Sequence, residues 1–338
     1  MKKLKQLFTV LLTIAMLGCM GVAALAAEPD PEVPETELTD METVTIKKIY
    51  TLTGAGTSPA ETFTLEQVGD GVVRDGDAES APALGTITGA SFAKGAASAA
   101  GANETITIAL PEYDHVGIYE YTLREAAGTT AGVAYYAKDI KLVVTVINDA
   151  NGSIRVAAVH TEIPMDEGNK EGTKSDSFTN TYSAGTLNVT KTVEGNLGNK
   201  DKKFDFTLVL TKEQGKTVGE IRAFVAGTEV TDFDPVWNAD TNSYQYTFQL
   251  AHGETASFTN LPYGTSYTVT EAAADGYETT KTGDTGSISA ALSTAAFVNT
   301  KNGEIVMGVS LDSLPYLLIL MGTAAAGILF AVRRRTVE

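Results

Sequence analysis

Two short stretches decide the fold because they match each other: Val44-Thr45-Ile46-Lys47-Lys48 and Leu187-Asn188-Val189-Thr190-Lys191. Each stretch ends on a lysine, and a Phe-Thr-Leu segment follows fifteen residues later in both cases. Two further matched pairs come in the same order, Tyr121–Ala127 with Tyr267–Ala273 and Phe178–Thr181 with Phe297–Thr300. Four matched segments in one order indicate that one fold occurs twice.

The sequence around these segments is typical of short β-strands. Runs rich in Thr, Val, Ile, Tyr and Phe alternate with clusters of Gly, Asn and Asp, and helical periodicity is almost absent. We therefore predict an all-β fold of two tandem β-sandwich domains, residues 43–184 and residues 185–303.

Alternation along the predicted strands indicates which polar side chains point inward. Lys48 has the same parity as Val44 and Ile46, so it faces the core, whereas Lys47 faces solvent. The same rule assigns one lysine, one glutamate and one asparagine to each core: Lys48, Glu125 and Asn180 in the first domain, and Lys191, Glu271 and Asn299 in the second.

A buried lysine, glutamate and asparagine in contact can react with one another. Burial lowers the pKa of an amine and raises that of a carboxylic acid, so a neutral amine can meet a neutral acid. The amine can then attack the carboxamide carbon, while the acid shuttles protons and ammonia leaves as an isopeptide bond forms. The alternative is a set of snorkelling or edge-strand polar residues, which is the ordinary situation for a single lysine. Recurrence of all three residue types favours the crosslink.

The N-terminus has the pattern of a secretory signal peptide, which we assign to residues 1–27. Basic residues come first, an apolar run follows from Leu7 to Leu25, and the segment ends on small residues. Lipidation of Cys19 and an N-terminal membrane anchor are the alternatives. A Pro/Glu-rich linker, residues 28–42, comes next.

The C-terminal segment, residues 304–338, holds an apolar run that stops at Arg333-Arg334-Arg335. The run from Pro315 to Val332 would span about 27 Å as a helix, close to the thickness of a bilayer core. We therefore predict a transmembrane helix whose arginines lie on the cytoplasmic side. The two domains would then lie outside the cell membrane.

The composition excludes several classes of function. The chain of 338 residues carries 42 acidic and 25 basic side chains, which argues against nucleic-acid binding. Removal of three lysines with the signal peptide would take its net charge from −17 to −20. The single cysteine excludes an intramolecular disulfide or a multi-cysteine metal site. We find no cofactor motif and no metal-ligand spacing, and we predict no enzyme activity beyond single-turnover crosslinking.

At the lysine, glutamate and asparagine segments the chain resembles the backbone pilins of Gram-positive bacteria, of the streptococcal T-antigen type. Gly117–Glu125 and Phe258–Gly264 carry the resemblance together with the lysine motif. It implies Ig-like domains, an isopeptide-linkage pilin domain followed by a Cna B-type domain. It also implies autocatalytic bonds Lys48–Asn180, assisted by Glu125, and Lys191–Asn299, assisted by Glu271. Asn260 precedes Leu-Pro-Tyr-Gly, where we expect it to shape a turn instead.

Members of this family are polymerised by a sortase, which joins a cleaved C-terminal motif to a lysine of the next subunit. The aligned segment is Glu304-Ile305-Val306-Met307-Gly308, where Val306 and Met307 replace the Pro and Thr of the family's Pro-Thr-Gly core. Either the cognate sortase accepts this signal or the protein remains membrane-anchored. Lys174 is the first candidate for the acceptor lysine and Lys170 the second. The alternative is that both lysines only neutralise the charge of acidic side chains in the same loop.

Three functions remain open at this point. The first is a pilus shaft subunit at the cell surface or in the cell wall, with identical subunits and a sortase as partners. The second is a wall- or membrane-anchored adhesin built from the same domains, which would bind a host surface ligand. Ancillary pilins are a further candidate partner of the protein. The third is a secreted enzyme whose residues follow no familiar pattern.

Overall fold

A computed structural model describes residues 40–163, 173–305 and 314–335. The predicted signal peptide and residues 28–39 of the predicted linker lie outside these ranges, so both stay predictions. Most described residues of the two repeats form β-strands, and the expectation of an all-β fold is confirmed.

The strands of the first domain follow the alternating pattern read from the sequence. They are β1 (Thr43–Gly54), β2 (Glu61–Phe63), β3 (Leu65–Gln67), β4 (Val72–Gly76), β5 (Ile87–Thr88), β6 (Ala90–Phe92), β7 (Ala102–Ala109), β8 (Gly117–Glu125), β9 (Val133–Ala134), β10 (Ile140–Asn148) and β11 (Ile154–Glu162). A long strand, β12 (Ser177–Glu194), belongs to both domains.

The second domain continues with shorter strands and the described chain ends on a helix. The strands are β13 (Phe204–Thr211), β14 (Arg222–Val225), β15 (Thr228–Glu229), β16 (Ser243–Leu250), β17 (Thr255–Pro262), β18 (Ser266–Glu271), β19 (Glu278–Thr282), β20 (Thr285–Ser287) and β21 (Leu292–Thr300). The helix is α1 (Leu314–Arg335).

The first domain is a sandwich of two sheets around one apolar core. In one sheet β1 pairs in parallel with the first half of β12 and antiparallel with β7. The facing sheet has the order β11-β10-β8-β3, and β4 also pairs with β8. Ile46 and Tyr50 from the first sheet meet Tyr121 and Leu142 from the second in the core, which places the inward positions in the middle of β1 out of contact with water.

The second domain repeats this plan. The second half of β12 pairs in parallel with β21 and antiparallel with β17, and the facing sheet has the order β16-β13-β18-β20. Its separate core includes Leu187, Phe206, Phe258 and Phe297. The two hydrophobic cores correspond to the two repeats of the sequence.

Strand β12 passes from one domain to the other without a loop. Its inward residues have even numbers up to Ala184 and odd numbers from Gly185 onward, because these two consecutive residues are both buried. The register of β12 against β17 shifts at the same place, between Gly185 and Leu187, as at a β-bulge. The predicted boundary near Ala184-Gly185 therefore lies inside a strand and not in a linker.

The C-terminal segment contains a helix where the sequence predicts a transmembrane one. Among the described residues, however, no helix combines the length and the apolar character needed to cross a membrane. The prediction is corrected to that of a helix of 22 residues. Its middle, Gly322–Gly327, consists of small residues, which offer less apolar surface than leucine or isoleucine.

Truncation of an aromatic side chain in the second core tests its packing. Phe206 is 1% exposed, stacks on Phe248 with the ring centres 5.4 Å apart, and meets Phe297 edge to face. Phe206→Ala should lower the free energy of unfolding by about 3–5 kcal/mol, since it removes buried area and leaves a cavity. Urea unfolding measures the change. Val236→Ala, at an 80% exposed position, is the control and should change it by less than about 0.5 kcal/mol.

Candidate functional site

Among the described residues, each domain holds one fully buried lysine, and its neighbours on the inner face of the strand are apolar. Lys48 on β1 lies between the buried Ile46 and Tyr50, and the neighbouring Lys47 is exposed. Lys191 on β12 likewise lies between the buried Val189 and Val193. Strand alternation leaves both ammonium groups no route to solvent, so they must find partners inside the protein.

In the first domain Lys48, Glu125 and Asn180 form a closed cluster. Lys48 Nζ donates hydrogen bonds to Glu125 Oε2 at 2.9 Å and to Asn180 Oδ1 at 2.7 Å. Asn180 Nδ2 in turn donates to Glu125 Oε1. The backbone N–H of Tyr136 donates to Glu125 Oε2 at 3.2 Å, which gives the carboxylate a third donor group.

Aromatic rings surround the amine of this first cluster. The Lys48 Nζ lies 3.6 Å from the ring centre of Phe178 and 4.8 Å from that of Phe63. The ring faces attract a cation and exclude water at the same time. The aromatic residues and the Tyr136 amide complete the site. Strand alternation alone does not indicate them, although the Phe-Thr-Leu and Phe-x-Asn repeats of the sequence contain Phe63 and Phe178.

The second domain brings its three residues together in a slightly different arrangement. Lys191 Nζ donates to both oxygens of Glu271, at 2.8 and 2.9 Å, and Asn299 Nδ2 donates to Glu271 Oε1. The buried Asn299 Oδ1 has no hydrogen-bond partner among the described residues. Phe204 covers the amine, with its ring centre 4.4 Å from Nζ.

Strand pairing explains why the same three positions meet in both domains. In the parallel pair of β1 and β12, Lys48 lies opposite Phe178, so that Asn180 is two residues further along on the same face. In the parallel pair of β12 and β21, Lys191 lies opposite Phe297 in the same relation to Asn299. The glutamates end β8 and β18 of the facing sheets. The site in each domain therefore consists of a lysine and an asparagine on two parallel strands, with a glutamate on a strand of the facing sheet.

Burial changes the protonation of the two lysines in the same direction. It lowers the pKa of Lys48 to about 8, although the nearby Glu125 acts against this change. Burial also lowers the pKa of Lys191, against the opposing effect of Glu271. Both amines consequently reach the neutral, nucleophilic form more easily than a lysine in water.

Lys174, the first candidate for the acceptor lysine, lies on the surface and belongs to neither cluster. Lys174 is exposed and forms an isolated β-bridge with Glu162. Lys170 and residues Val306, Met307 and Gly308 lie outside the described residues.

Hydrogen bonds to Asn196 hold the end of the second domain at Gly303. Asn196 holds both backbone groups of Gly303, through hydrogen bonds of 2.9 Å to its N–H and 2.8 Å to its carbonyl oxygen. Glu304 and Ile305, the first residues of the proposed sorting segment, are exposed.

These features define a class: a tandem β-sandwich protein with a buried Lys–Glu–Asn cluster in each domain. Residues 44–183 match the family model described as Spy0128-like isopeptide containing domain, and residues 185–301 match a model described as a domain of unknown function, DUF7601. A curated protein named Pilin, from Streptococcus pyogenes serotype M1, is 28% identical over 245 residues, which cover 66% of this chain and 69% of that protein. The chain thus resembles streptococcal pilins, and its first domain matches the Spy0128-like isopeptide containing family.

Solved pilin structures also resemble the chain. The crystal structure of the major pilin from Streptococcus pyogenes is 23% identical, with a TM-score of 0.47, and the match covers 78% of this chain and all of that one. The major pilin protein T3.2 from the same species is 19% identical, with a TM-score of 0.44, and the match covers 79% and 99% of the two chains.

The lowered pKa of Lys48 predicts a pH dependence in variants that lack the first crosslink. In Asn180→Ala the folded state would lose the lysine proton near pH 8, whereas the unfolded state keeps it up to about pH 10.5. The unfolded state therefore binds more protons between these values, and stability rises with pH there. We expect the free energy of unfolding to rise by about 2 kcal/mol between pH 8 and pH 10.

Urea unfolding at the two pH values measures this change. Lys48→Met is the matched control, because it also lacks the crosslink but has no amine to titrate, and it should not show the rise. If the free energy of unfolding changed equally with pH in both variants, Lys48 would have an ordinary pKa.

Proposed function

We propose that the protein is a pilus shaft subunit in which each domain closes a Lys–Asn isopeptide bond by itself. The similarity to streptococcal pilins supports a pilin-type structural subunit. The observation that carries the proposed crosslink is the contact of Lys48 Nζ with both Glu125 and Asn180 inside a core that excludes water. The same three residue types in the second domain make a chance arrangement of buried polar groups a poor explanation.

The Lys48–Asn180 bond would form in steps in which Glu125 accepts and returns each transferred proton. Lys48 passes a proton to Glu125, which leaves a neutral amine and a neutral acid. The amine attacks Cγ of Asn180 while Glu125 protonates Oδ1, and a tetrahedral carbon results. Glu125 then carries a proton from the attacking nitrogen to Nδ2, the Cγ–Nδ2 bond breaks and ammonia leaves. The hydroxyl returns its proton to Glu125 as the new amide carbonyl forms.

Each part of the site has a role in this sequence. The aromatic rings keep water away from the site. The neutral forms of the amine and the acid are therefore accessible, and water does not compete with the amine for the carboxamide carbon. The Tyr136 amide orients the Glu125 carboxyl between the amine and the carboxamide. In the second domain, Glu271 is placed to do the same for Lys191 and Asn299, because it contacts both.

Polymerisation would join such subunits at the cell surface. The proposed sorting segment begins at Glu304, directly after the last residue that Asn196 holds, and its first two residues, Glu304 and Ile305, are exposed without any unfolding of the domain. The exposed Lys174 is our proposed acceptor in the first domain of the next subunit. A sortase supplies the transpeptidation, and the chain itself supplies the two ends of the linkage.

The internal crosslinks predict a deficit in mass. The purified protein should be lighter than the summed mass of the residues it contains by one ammonia per domain, two in total. Glu125→Ala and Glu271→Ala should each restore one ammonia, because the proton shuttle is lost. Intact-mass spectrometry of the denatured protein measures both results.

The matched control is Glu120→Ala, on the same strand as Glu125 but paired with Arg74 on the outer side of the sheet. It should leave both deficits unchanged. A wild-type protein with its full sequence mass would refute the crosslinks.

Loss of the first crosslink should also lower stability. The Lys48–Asn180 bond would close a loop of 132 residues, and by the chain-entropy model such a link is worth about 4–5 kcal/mol. Asn180→Ala should therefore unfold at lower denaturant concentration than the wild type, by circular dichroism at pH 7. A variant as stable as the wild type would contradict a covalent link at this position.

Polymerisation predicts a ladder of covalent species. Cell-surface extracts boiled in detergent should contain a series of high-mass bands that react with an antibody to this protein. Lys174→Ala should abolish the ladder, whereas Lys47→Ala, a change of an exposed lysine on β1, should leave it intact. A ladder that survives Lys174→Ala but not Lys170→Ala would move the acceptor to Lys170. Absence of a ladder in the wild type would favour the adhesin.

A further inference from the structure

Asn260 lies at the joint between the two domains, with its side chain buried. It is 8% exposed and has a φ of +62°, in the left-handed region, although it stands within strand β17. The sequence predicts only a turn-shaping role for it. A buried amide in a strained backbone conformation needs partners that compensate for both costs.

The Asn260 amide connects the two domains through three hydrogen bonds. Its Oδ1 accepts from the backbone N–H of Thr57 at 2.9 Å and from the Tyr182 hydroxyl at 3.1 Å, both in the first domain. Its Nδ2 donates to the carbonyl oxygen of Glu220 in the second domain, at 2.6 Å. A side-chain amide has two acceptor positions and two donor hydrogens, so three of its four capacities are used.

The backbones at this joint approach too closely to allow free movement. A Cβ on Gly56 would lie 2.4 Å from Asn260 Oδ1, and one on Gly54 would lie 2.6 Å from the Tyr263 hydroxyl. The Tyr263 N–H also donates to the carbonyl oxygen of Ser183 at 2.9 Å. The first domain's segment 54–57 therefore fits directly against the start of the second domain.

A second set of contacts lies beside the first. The backbone of Thr217 in the second domain donates to the carbonyl oxygen of Thr129 and accepts from the N–H of Ala131, both at 2.8 Å. Lys94 and Glu220 form an ion pair across the same joint, with both side chains about half exposed. Backbone hydrogen bonds between the domains at two places constrain rotation about β12. Asn260 adds hydrogen bonds from a buried side chain at the same joint.

The geometry points to Asn260 as a latch that holds the two domains in one fixed orientation. It acts on Tyr182, which lies two residues from Asn180 on β12, and on the loop that follows β1. Removal of the amide would leave β12 as the continuous connection but free the loop 55–57 from the second domain. This role does not depend on the proposed crosslinks.

The test uses a variant that removes the amide without straining the backbone. Asn260→Gly keeps the left-handed conformation, which glycine adopts readily, and deletes all three hydrogen bonds. The matched control is Asn242→Gly, since Asn242 also has a positive φ, of +51°, but lies directly before β16 in the second domain. Tyr182→Phe is a milder variant that removes a single hydroxyl.

Interdomain distance distributions provide the first readout. Spin labels on Thr105→Cys and Thr247→Cys, two exposed strand positions in different domains, are used in the full-length chain with Cys19→Ser. We expect one narrow distribution for the parent and for Asn242→Gly, a broad one for Asn260→Gly and an intermediate one for Tyr182→Phe. A distribution for Asn260→Gly as narrow as that of the parent would overturn the proposal, as would equal broadening in Asn242→Gly.

Hydrogen exchange provides a readout that does not depend on labels. The Thr57 amide should exchange at least about tenfold faster in Asn260→Gly, because its acceptor is gone, while amides in the centre of β1 keep their protection. Unchanged exchange at Thr57 would overturn the assignment. Faster exchange throughout the first domain would indicate general unfolding and would likewise count against a local latch.

Discussion

The structure depends on the cost of placing a lysine amine inside a β-sandwich core. Each domain places an amine on the inner face of a central strand, where an unpaired charge would be several kcal/mol too costly. The glutamate and the asparagine are the groups that make this tolerable, and they come from two other strands. Register, sheet order and aromatic cover all follow from the need to bring these three side chains together and to keep water out.

Strand β12 carries this constraint from one domain to the other. It supplies the asparagine of the first cluster and the lysine of the second, so neither cluster can shift along the strand without moving the other. The joint between the domains is correspondingly dense in hydrogen bonds, many of them from the backbone. A chain built in this way has two hydrophobic cores but no linker between them, which explains why the matched segments of the sequence follow each other so closely.

The sequence was sufficient for the fold class and for the six residues of the two clusters, because strand alternation is local and the repeat supplied a check on each position. It was not sufficient for the role of Asn260, whose partners Thr57 and Tyr182 are far away in the chain and have no recognisable pattern. The contribution of the Tyr136 amide was out of reach for the same reason. At the C-terminus, the apolar run predicted a helix correctly but did not establish that the helix crosses a membrane.

The change of parity at Ala184 and Gly185 has a consequence for how such proteins can vary. Asn180 has an even number and Lys191 an odd one, yet both point inward, because one extra residue is accommodated between them. Insertion or deletion of a single residue in this interval would turn one of the two side chains toward solvent. The number of residues between Asn180 and Lys191 is therefore constrained. Recombination between related chains can exchange whole loops, but a crossover between these two residues must preserve their spacing.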